Sequence, residues 1–341
     1  MWACTSAAQT PDAALAPVPH IALLLPLNGG VFVKHAQAVR DGFLAAAKAQ
    51  PSVPLPLRIY AATDDSSVAV AGYRQAVAAG ARLVVGPLTR DAVTALAATK
   101  LIPVPTLALN APDGGGPLPE RLYVLSLQID AEARRVAEVA FQDGQRRVYT
   151  IAGNDALSRR MNDAFVEEFQ RLGGVQADGR IYAGDEVADL QKYRADIEAS
   201  RADAVFLALD TQRGRAVKPY VGGLPVYATS QIYPGPTANM SDLELDDVRF
   251  VGMPWLLERD HPAVMVYPRP DYGGDLDLQR LYALGIDAFR LSEELLKRRQ
   301  RIVLDGVTGG LALGSDQVFH RTLTVARLEN GKVVVIGEAR P

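Results

Sequence analysis

Short, continuously apolar segments alternate with amphipathic segments along most of the chain. The run Ile21–Leu25 is apolar at every position and is followed by the turn-forming segment Pro26–Gly30, as expected of a parallel strand that is buried on both faces. Beyond it, Val39, Phe43 and Ala47 recur every four residues, which predicts a helix with one apolar stripe. Repetition of this unit predicts an α/β fold with doubly wound parallel sheets and right-handed crossovers.

The same alternation continues to about residue 300, after which the pattern changes. Further strands are predicted at Leu57–Tyr60, Leu83–Val85, Val104–Ala108, Leu122–Leu125, Arg147–Ile151, Val175–Tyr182, Ala204–Ala208, Leu224–Tyr227 and Val248–Gly252. Helices are predicted between them, including a long one from about Leu278 to Arg299. Near the end, short strands are predicted at Leu311–Leu313, Phe319–Leu328 and Lys332–Ile336, joined by turns of which one contains an Asn-Gly pair.

The beginning of the chain has a different composition. From Met1 to Pro19 the only charged side chain is Asp12, and small or polar residues dominate, so residues 1–19 are predicted to form a disordered tether. The single cysteine, Cys4, follows a small residue and precedes a Ser/Ala/Pro segment, which resembles the processing site of a bacterial lipoprotein. Cys4 is the predicted lipid attachment site, and the alternative is an unmodified cysteine in a flexible tail. No later apolar run approaches the roughly 18 residues of a spanning helix, so Cys4 is the only predicted membrane attachment.

Composition and charge exclude several classes of function. The chain has 36 Lys and Arg against 39 Asp and Glu, a formal net charge of −3, which argues against binding nucleic acid or an anionic membrane through a basic surface. The sequence contains no phosphate-binding loop, dinucleotide-binding glycine motif or nucleophile elbow, and no cofactor is predicted. One cysteine and four dispersed histidines give no metal motif; the histidines are His20, His35, His261 and His320.

Polar residues and glycines follow the carboxyl ends of several predicted strands, where open α/β sheets bind ligands. The candidate cleft residues are Asn28, Gly29, Thr89 and Asn110 in the first half, Asn154, Asp155, Ser230 and Gln231 in the second, and Trp255 beyond them. Each has a structural alternative, because Asn and Asp commonly form turns and helix caps and a Trp beside an apolar strand commonly packs in the core. Their shared position in the topology favours a cleft more than any single residue does.

Several segments together resemble a known protein family. They are Ile21–Leu27, Val39–Phe43, Val84–Thr89, Pro103–Asn110, Leu224–Ser230, Met253–Leu257 and Leu281–Ala288. Taken together they resemble the LppC family of lipoproteins, the LpoA-type activators of penicillin-binding proteins. The first segment is shared with type I periplasmic binding proteins in general, whereas the Leu224–Ser230, Met253–Leu257 and Leu281–Ala288 segments are more specific.

This resemblance implies a two-lobed architecture. The expected fold is that of type I periplasmic binding proteins, with two Rossmann-like, doubly wound parallel-sheet lobes joined by three crossings. An N-terminal lobe is expected to contain residues 20–127 and 251–310. A C-terminal lobe is expected to contain residues 128–250 and 311–341.

The resemblance also implies a function. The expected protein is not an enzyme but a lipoprotein on the periplasmic side of the outer membrane that binds a class A penicillin-binding protein and stimulates peptidoglycan synthesis. The alternative is a solute-binding protein that closes on a small molecule such as an amino acid and serves a transporter or sensor. In that alternative, Asp155 or Asp210 would bind the ligand's amine.

Overall fold

Two large sheets and one small sheet organise the structure, a computed structural model that describes residues 17–50, 54–184, 187–236, 240–297, 299 and 301–337. The strands in chain order are β1 (His20–Leu25), β2 (Leu57–Ala61), β3 (Ala81–Val85), β4 (Thr106–Ala108), β5 (Leu122–Val124), β6 (Arg147–Gly153), β7 (Val175–Tyr182), β8 (Ala204–Ala208), β9 (Val226–Ala228), β10 (Val248–Gly252), β11 (Val303–Asp305), β12 (Gly310–Leu313), β13 (Phe319–Thr322), β14 (Thr324–Glu329) and β15 (Lys332–Gly337). The first sheet has the order β2-β1-β3-β4-β5, and all its pairings are parallel.

The second sheet has the order β15-β14-β10-β9-β8-β6-β7. Its central pairings are parallel, while β14 and β15 add antiparallel strands at one edge. The third sheet, β11-β12-β13, is antiparallel. These sheets confirm the predicted α/β class with parallel sheets.

Helices connect the parallel strands, as the amphipathic segments predict. In the described residues they are α1 (Val33–Ala49), α2 (Ser66–Ala78), α3 (Arg90–Ala98), α4 (Ile129–Gln142), α5 (Ala156–Arg171), α6 (Val187–Ser200), α7 (Thr211–Val217), α8 (Pro254–Leu257) and α9 (Leu276–Leu296). Aspartates begin several of them: the carboxylate of Asp65 accepts from the amide of Ser67 in α2, and that of Asp275 accepts from the amide of Leu278 in α9. None of the helices in the described ranges is long and apolar enough to cross a membrane.

One predicted strand is divided between two sheets. The apolar pattern predicts a continuous strand over Phe319–Leu328, but β13 pairs in the third sheet and β14 pairs in the second. Leu323, between them, is only 2% exposed and packs among the residues of the second sheet's core. The chain passes from the third sheet to the second at the buried Leu323. No glycine or proline marks this change in the sequence.

The chain passes between the two large sheets more than once. The first sheet uses residues before 125 and the second uses residues after 146, but α9, from the later part, packs along α1 of the earlier part. The segment that leads into β13 contacts the edge of the first sheet, where the amide of Val124 in β5 donates to the carbonyl of Gln317 at 3.0 Å. The lobe boundaries at residues 127, 250 and 310 remain a prediction.

The contact between α1 and α9 is close because each helix has a glycine at the crossing. A Cβ atom at Gly42 would lie 1.9 Å from the carbonyl oxygen of Tyr282, and one at Gly285 would lie 2.0 Å from that of Val39. Beside them, the rings of Phe43 and Phe289 meet edge to face at 5.2 Å. The two backbones therefore touch directly, and α9 is fixed to the first sheet's helical layer.

Candidate functional site

The first-half cleft residues lie at the carboxyl end of the first sheet. Asn28 and Gly29 follow β1, Thr89 precedes α3 after β3, and Asn110 follows β4. The three strands are neighbours in the order β1-β3-β4, so the topology brings these positions to one edge. Asn28 and Asn110 also hold their own loops, because their Nδ2 groups donate to the carbonyls of Ala61 at 3.2 Å and Leu88 at 3.3 Å.

The second-half residues lie at the corresponding edge of the second sheet. Asn154 and Asp155 follow β6, and Ser230 and Gln231 follow β9; β8 lies between these strands and leads to Asp210. Asn154 is exposed, whereas Ser230 is only 4% exposed. Each half is thus assembled at the edge that the sequence predicts, and ligand binding there remains a prediction.

An arginine that the sequence did not single out occupies this second edge. Arg213 in α7 donates through Nε to Asp210 at 2.9 Å and through Nη1 to Asp155. Asp155 also accepts from the amide and hydroxyl of Ser158 at 2.9 and 2.8 Å. Burial alone would raise the pKa of Asp155, but the hydrogen bonds from Ser158 and Arg213 outweigh burial and hold this pKa well below its usual range.

The arrangement around Arg213 bears directly on amino-acid binding. An α-amino acid needs a carboxylate to pair with its ammonium group, and Asp155 and Asp210 are the two acids proposed for that role. Both carboxylates already pair with the same guanidinium, that of Arg213. A Cβ atom on Gly153, at the end of β6, would lie 2.0 Å from Arg213 Nη1, so the guanidinium packs against the strand end itself. The two carboxylates therefore act as helix caps and ion-pair partners in this structure.

Trp255 is placed in the core. Its side chain is fully buried, and its Nε1 donates to Gln279 at 2.9 Å. The Trp255 and Tyr282 ring centroids lie 5.3 Å apart, and the guanidinium carbon of Arg269 lies over the Trp255 ring, 4.5 Å from a ring centroid. Core packing, the alternative that the sequence left open, accounts for Trp255, which has no surface exposed to a ligand here.

A buried polar network connects the end of β9 to α4 and α9. The amide of Ser230 donates to Glu132 at 3.3 Å, and its carbonyl accepts from Arg280 at 3.1 Å. Arg321 lies 3.9 Å from Glu132, and its side chain is only 4% exposed. Burial lowers the pKa of Arg321, although Glu132 and Asp287 oppose this effect. Separating these elements would expose or unpair buried charges, which is costly.

Two predictions from the sequence, the lack of a metal motif and the lipid attachment at Cys4, do not concern the cleft. Within the described ranges, no group of three or more His, Cys, Asp or Glu side chains could hold a metal ion. Cys4, the predicted lipid attachment site, lies outside the described residues.

Replacing Asp155 by alanine is expected to lower the free energy of unfolding at pH 7 by about 1–2 kcal/mol, because α5 loses its N-cap. Since the pKa of Asp155 is lowered in the folded state, its stabilisation is present above its unfolded pKa of about 3.9 and is lost as the pH falls further. Urea denaturation of wild type and Asp155→Ala measures the loss of unfolding free energy at pH 7 and its expected decrease near pH 2.5. Asp155→Asn retains the N-cap and is the control for the loss of charge. The prediction would be contradicted if wild type and Asp155→Ala differed by the same free energy of unfolding at both pH values.

Comparison with solved structures defines the class. A chain from Chromobacterium violaceum, described as a "putative branched-chain amino acid ABC transporter", superposes with a TM-score of 0.77 at 38% identity and covers 91% of this chain and 100% of its own. The LpoA (YraM) C-domain of Haemophilus influenzae, described as a regulator of PBP1A, gives a TM-score of 0.77 at 24% identity over 93% of this chain and 99% of that domain. The fold is therefore that of the two-lobed, type I periplasmic binding protein class.

The family follows from the sequence comparison. The family model described as "LppC putative lipoprotein" matches residues 13–331, so the chain belongs to the LppC family, and the resemblance is confirmed. A curated relative, the penicillin-binding protein activator LpoA of Photobacterium profundum, is 27% identical over 91% of this chain and 56% of its own length. The chain spans about half the length of the curated relatives that it matches.

Proposed function

We propose that this protein is a non-enzymatic activator of a class A penicillin-binding protein in peptidoglycan synthesis, located in the periplasm. The observation that carries the proposal is the family match over residues 13–331, together with curated relatives that are named penicillin-binding protein activators. Activation requires no catalytic group in the activator. A protein that binds the active conformer of an enzyme more tightly than the inactive one shifts the enzyme towards activity by that difference in affinity.

The structure supports a surface-binding role more than a role in closing on a solute. Two buried hydrogen bonds, from the Ser230 amide to Glu132 and from Arg280 to the Ser230 carbonyl, connect α4, the end of β9 and α9. Closing or opening the lobes would disturb these contacts, and a buried charge that loses its partner destabilises strongly. A fixed arrangement of the lobes suits a docking partner, which gains affinity from a preorganised surface.

We also propose that Cys4 carries a lipid that holds the protein at the periplasmic face of the outer membrane. The support is the match to a lipoprotein family and the small residue that precedes this cysteine. Fractionation of the full-length protein against a Cys4→Ser variant tests the anchor, since only the wild type should remain with membranes.

A solute-binding function is the second candidate. It is favoured by the Chromobacterium violaceum structure, whose description names branched-chain amino acid transport. The pairing of Arg213 with both Asp155 and Asp210 opposes it for amino acids, because the ligand's ammonium group would have to compete with a guanidinium already in place.

Binding and activity assays separate the two functions. The protein is expected to bind the periplasmic region of at least one class A penicillin-binding protein of its source organism and to accelerate glycan polymerisation or crosslinking. A variant with Asn28, Thr89 and Asn110 replaced by alanine is the control, since docking on an outer surface should leave its binding within about twofold of wild type. Absence of binding and stimulation with every such enzyme, combined with a melting-temperature increase in an amino-acid screen, would favour the solute-binding candidate.

A further inference from the structure

A long segment without helix or strand connects α8 to α9. It comprises residues 258–275, and we call it the 258–275 loop. Connections longer than roughly 12–15 residues are uncommon in compact domains and are usually either functional or disordered. This loop is fastened to the fold, because the side chains of Val264 and Tyr267 are buried. Its length and its anchoring together indicate a function.

Arg269, in this loop, is held in place from both sides. The Tyr282 hydroxyl of α9 donates to the carbonyl of Pro268 at 3.0 Å, and Nε2 of Gln279 donates to the carbonyl of Pro270 at 2.8 Å. The two prolines also fix their own backbone angles. A partner that contacts Arg269 therefore has less chain freedom to remove, which favours binding.

The guanidinium of Arg269 has no anion beside it. Its carbon lies over the Trp255 ring, 4.5 Å from a ring centroid, and this contact provides no hydrogen-bond acceptor in the ring plane. In the part of the chain that the structure describes, neither Arg269 nor the exposed Arg259 pairs with a carboxylate or donates to an oxygen. Partial burial and the charge of Arg259 lower the pKa of Arg269, and Tyr233 opposes them only in part. Two positive charges thus influence each other without a counter-charge.

The acids of the loop do not neutralise these arginines. Three of them accept hydrogen bonds from other groups: Glu258 from the Thr324 hydroxyl, Asp271 from the Gly273 amide and Asp275 from the Leu278 amide. The fourth, Asp260, is exposed and forms no ion pair within the described ranges. Both guanidinium groups therefore remain open to a carboxylate from outside the chain.

Exposed apolar side chains accompany the two arginines. Met265 and Val266, in the same loop, are 68% and 60% exposed. Arginine and methionine are both enriched in protein interfaces, and an arginine often supplies a large share of the binding energy. A free inorganic ion would gain nothing from apolar surface, so the combination favours a protein partner.

From these observations we infer that the 258–275 loop docks on the penicillin-binding protein and that Arg269, supported by Arg259, pairs with a carboxylate of that partner. The inference rests on the proposed function and specifies its surface. A guanidinium can hold a carboxylate through two parallel N–H···O bonds, which supply both affinity and orientation. Met265 and Val266 supply apolar area around this pair.

Substitutions at Arg269 test the ion pair in the full chain. Arg269→Met removes the charge but keeps an apolar side chain beside Trp255, and it should weaken binding to the penicillin-binding protein roughly tenfold or more. Arg269→Lys keeps the charge without the two-pronged donor and should fall between the two. The matched control is Arg146→Met. Arg146 also lies over a ring, that of Phe141 at 3.8 Å, but its Nη1 already donates to the carbonyls of Phe141 and Gln145, so the control should bind like wild type.

A substitution at Met265 tests the apolar part of the surface. Met265→Asp places a second carboxylate where the partner's carboxylate is expected, so it should also weaken binding roughly tenfold or more. Its control is Leu101→Asp, at a side chain that is 74% exposed in the connection between α3 and β4. Leu101→Asp should bind like wild type. Urea unfolding of each variant verifies that the fold is retained.

The salt dependence of binding separates an ion pair from a general loss of contact. Wild-type affinity should fall as salt is added, and the affinity of Arg269→Met should fall less steeply, because one charge pair is missing. If wild type binds but Arg269→Met binds equally well, the inference is overturned and the proposed function stands. It is also overturned if malonate raises the melting temperature of wild type but not of Arg269→Met while both bind the enzyme equally, since the arginines would then serve a small ligand. If wild type binds no class A penicillin-binding protein, the inference and the proposed function are both overturned.

Discussion

Replacing Asp287 by alanine is expected to lower the free energy of unfolding by about 3–5 kcal/mol, because it breaks a buried, charged hydrogen-bond cluster. Asp287 in α9 is fully buried and accepts hydrogen bonds from the amides of Val307 and Thr308 at 3.0 and 2.8 Å and from the Thr308 hydroxyl at 2.6 Å. Arg290 lies 3.3 Å away and completes the charge pairing. Alanine would leave three donors and a guanidinium without their acceptor.

Urea denaturation of the full chain, compared at constant m-value, measures this loss. Asp287→Asn keeps one acceptor oxygen, so it should lose less of the free energy of unfolding than Asp287→Ala. The matched control is Asp189→Ala in α6, which removes an exposed pair of the same i,i+3 spacing with Lys192 and should cost less than about 1 kcal/mol. A loss below 1 kcal/mol for Asp287→Ala would show that the turn at residues 306–309 does not depend on this carboxylate.

The strands of the parallel sheets could be predicted because their signal is local. Ile21–Leu25 is apolar at every position, and each of its side chains is at most 1% exposed in the structure. Burial on both faces removes the alternation that a half-exposed strand would show, so the run of apolar residues is itself the prediction. The division of Phe319–Leu328 carries no such signal, because both β13 and β14 contain apolar and β-branched residues and only their pairing partners differ.

At the candidate site too, the sequence predicts features of neighbouring residues but not contacts between residues far apart in the chain. That Asn28, Asn110 and Asp155 follow strand ends is a property of adjacent residues and was predicted. The pairing of Arg213 with Asp155 joins positions 58 residues apart, and no spacing rule reveals it. Arg213 does lie three residues after Asp210, a helical spacing that could have indicated their ion pair. Trp255 could not be assigned to the core or the cleft, because its burial depends on Tyr282 and Arg269 from later segments.

Because α1 and α9 cross in direct backbone contact, Gly285→Ala is expected to destabilise the protein strongly. Alanine in a helix is normally favoured over glycine by about 1 kcal/mol, so a stabilised protein would be the expectation from propensity alone. Here the added Cβ would lie 2.0 Å from the carbonyl oxygen of Val39 and 2.8 Å from the amide nitrogen of Phe43, which are backbone atoms that cannot rotate away.

The helices must therefore separate, and we expect Gly285→Ala to lose about 3 kcal/mol, the upper end of the usual overpacking range. The control is Gly72→Ala in α2, where the new Cβ would meet only the end of the Leu24 side chain at 3.0 Å, and which should be neutral or stabilised by up to about 1 kcal/mol. Gly42→Ala forces the same helices apart through Tyr282, so combining it with Gly285→Ala should cost less than the two single losses added together. Thermal and urea unfolding measure all four variants; a Gly285→Ala protein as stable as wild type would mean that α1 and α9 can separate without loss of packing.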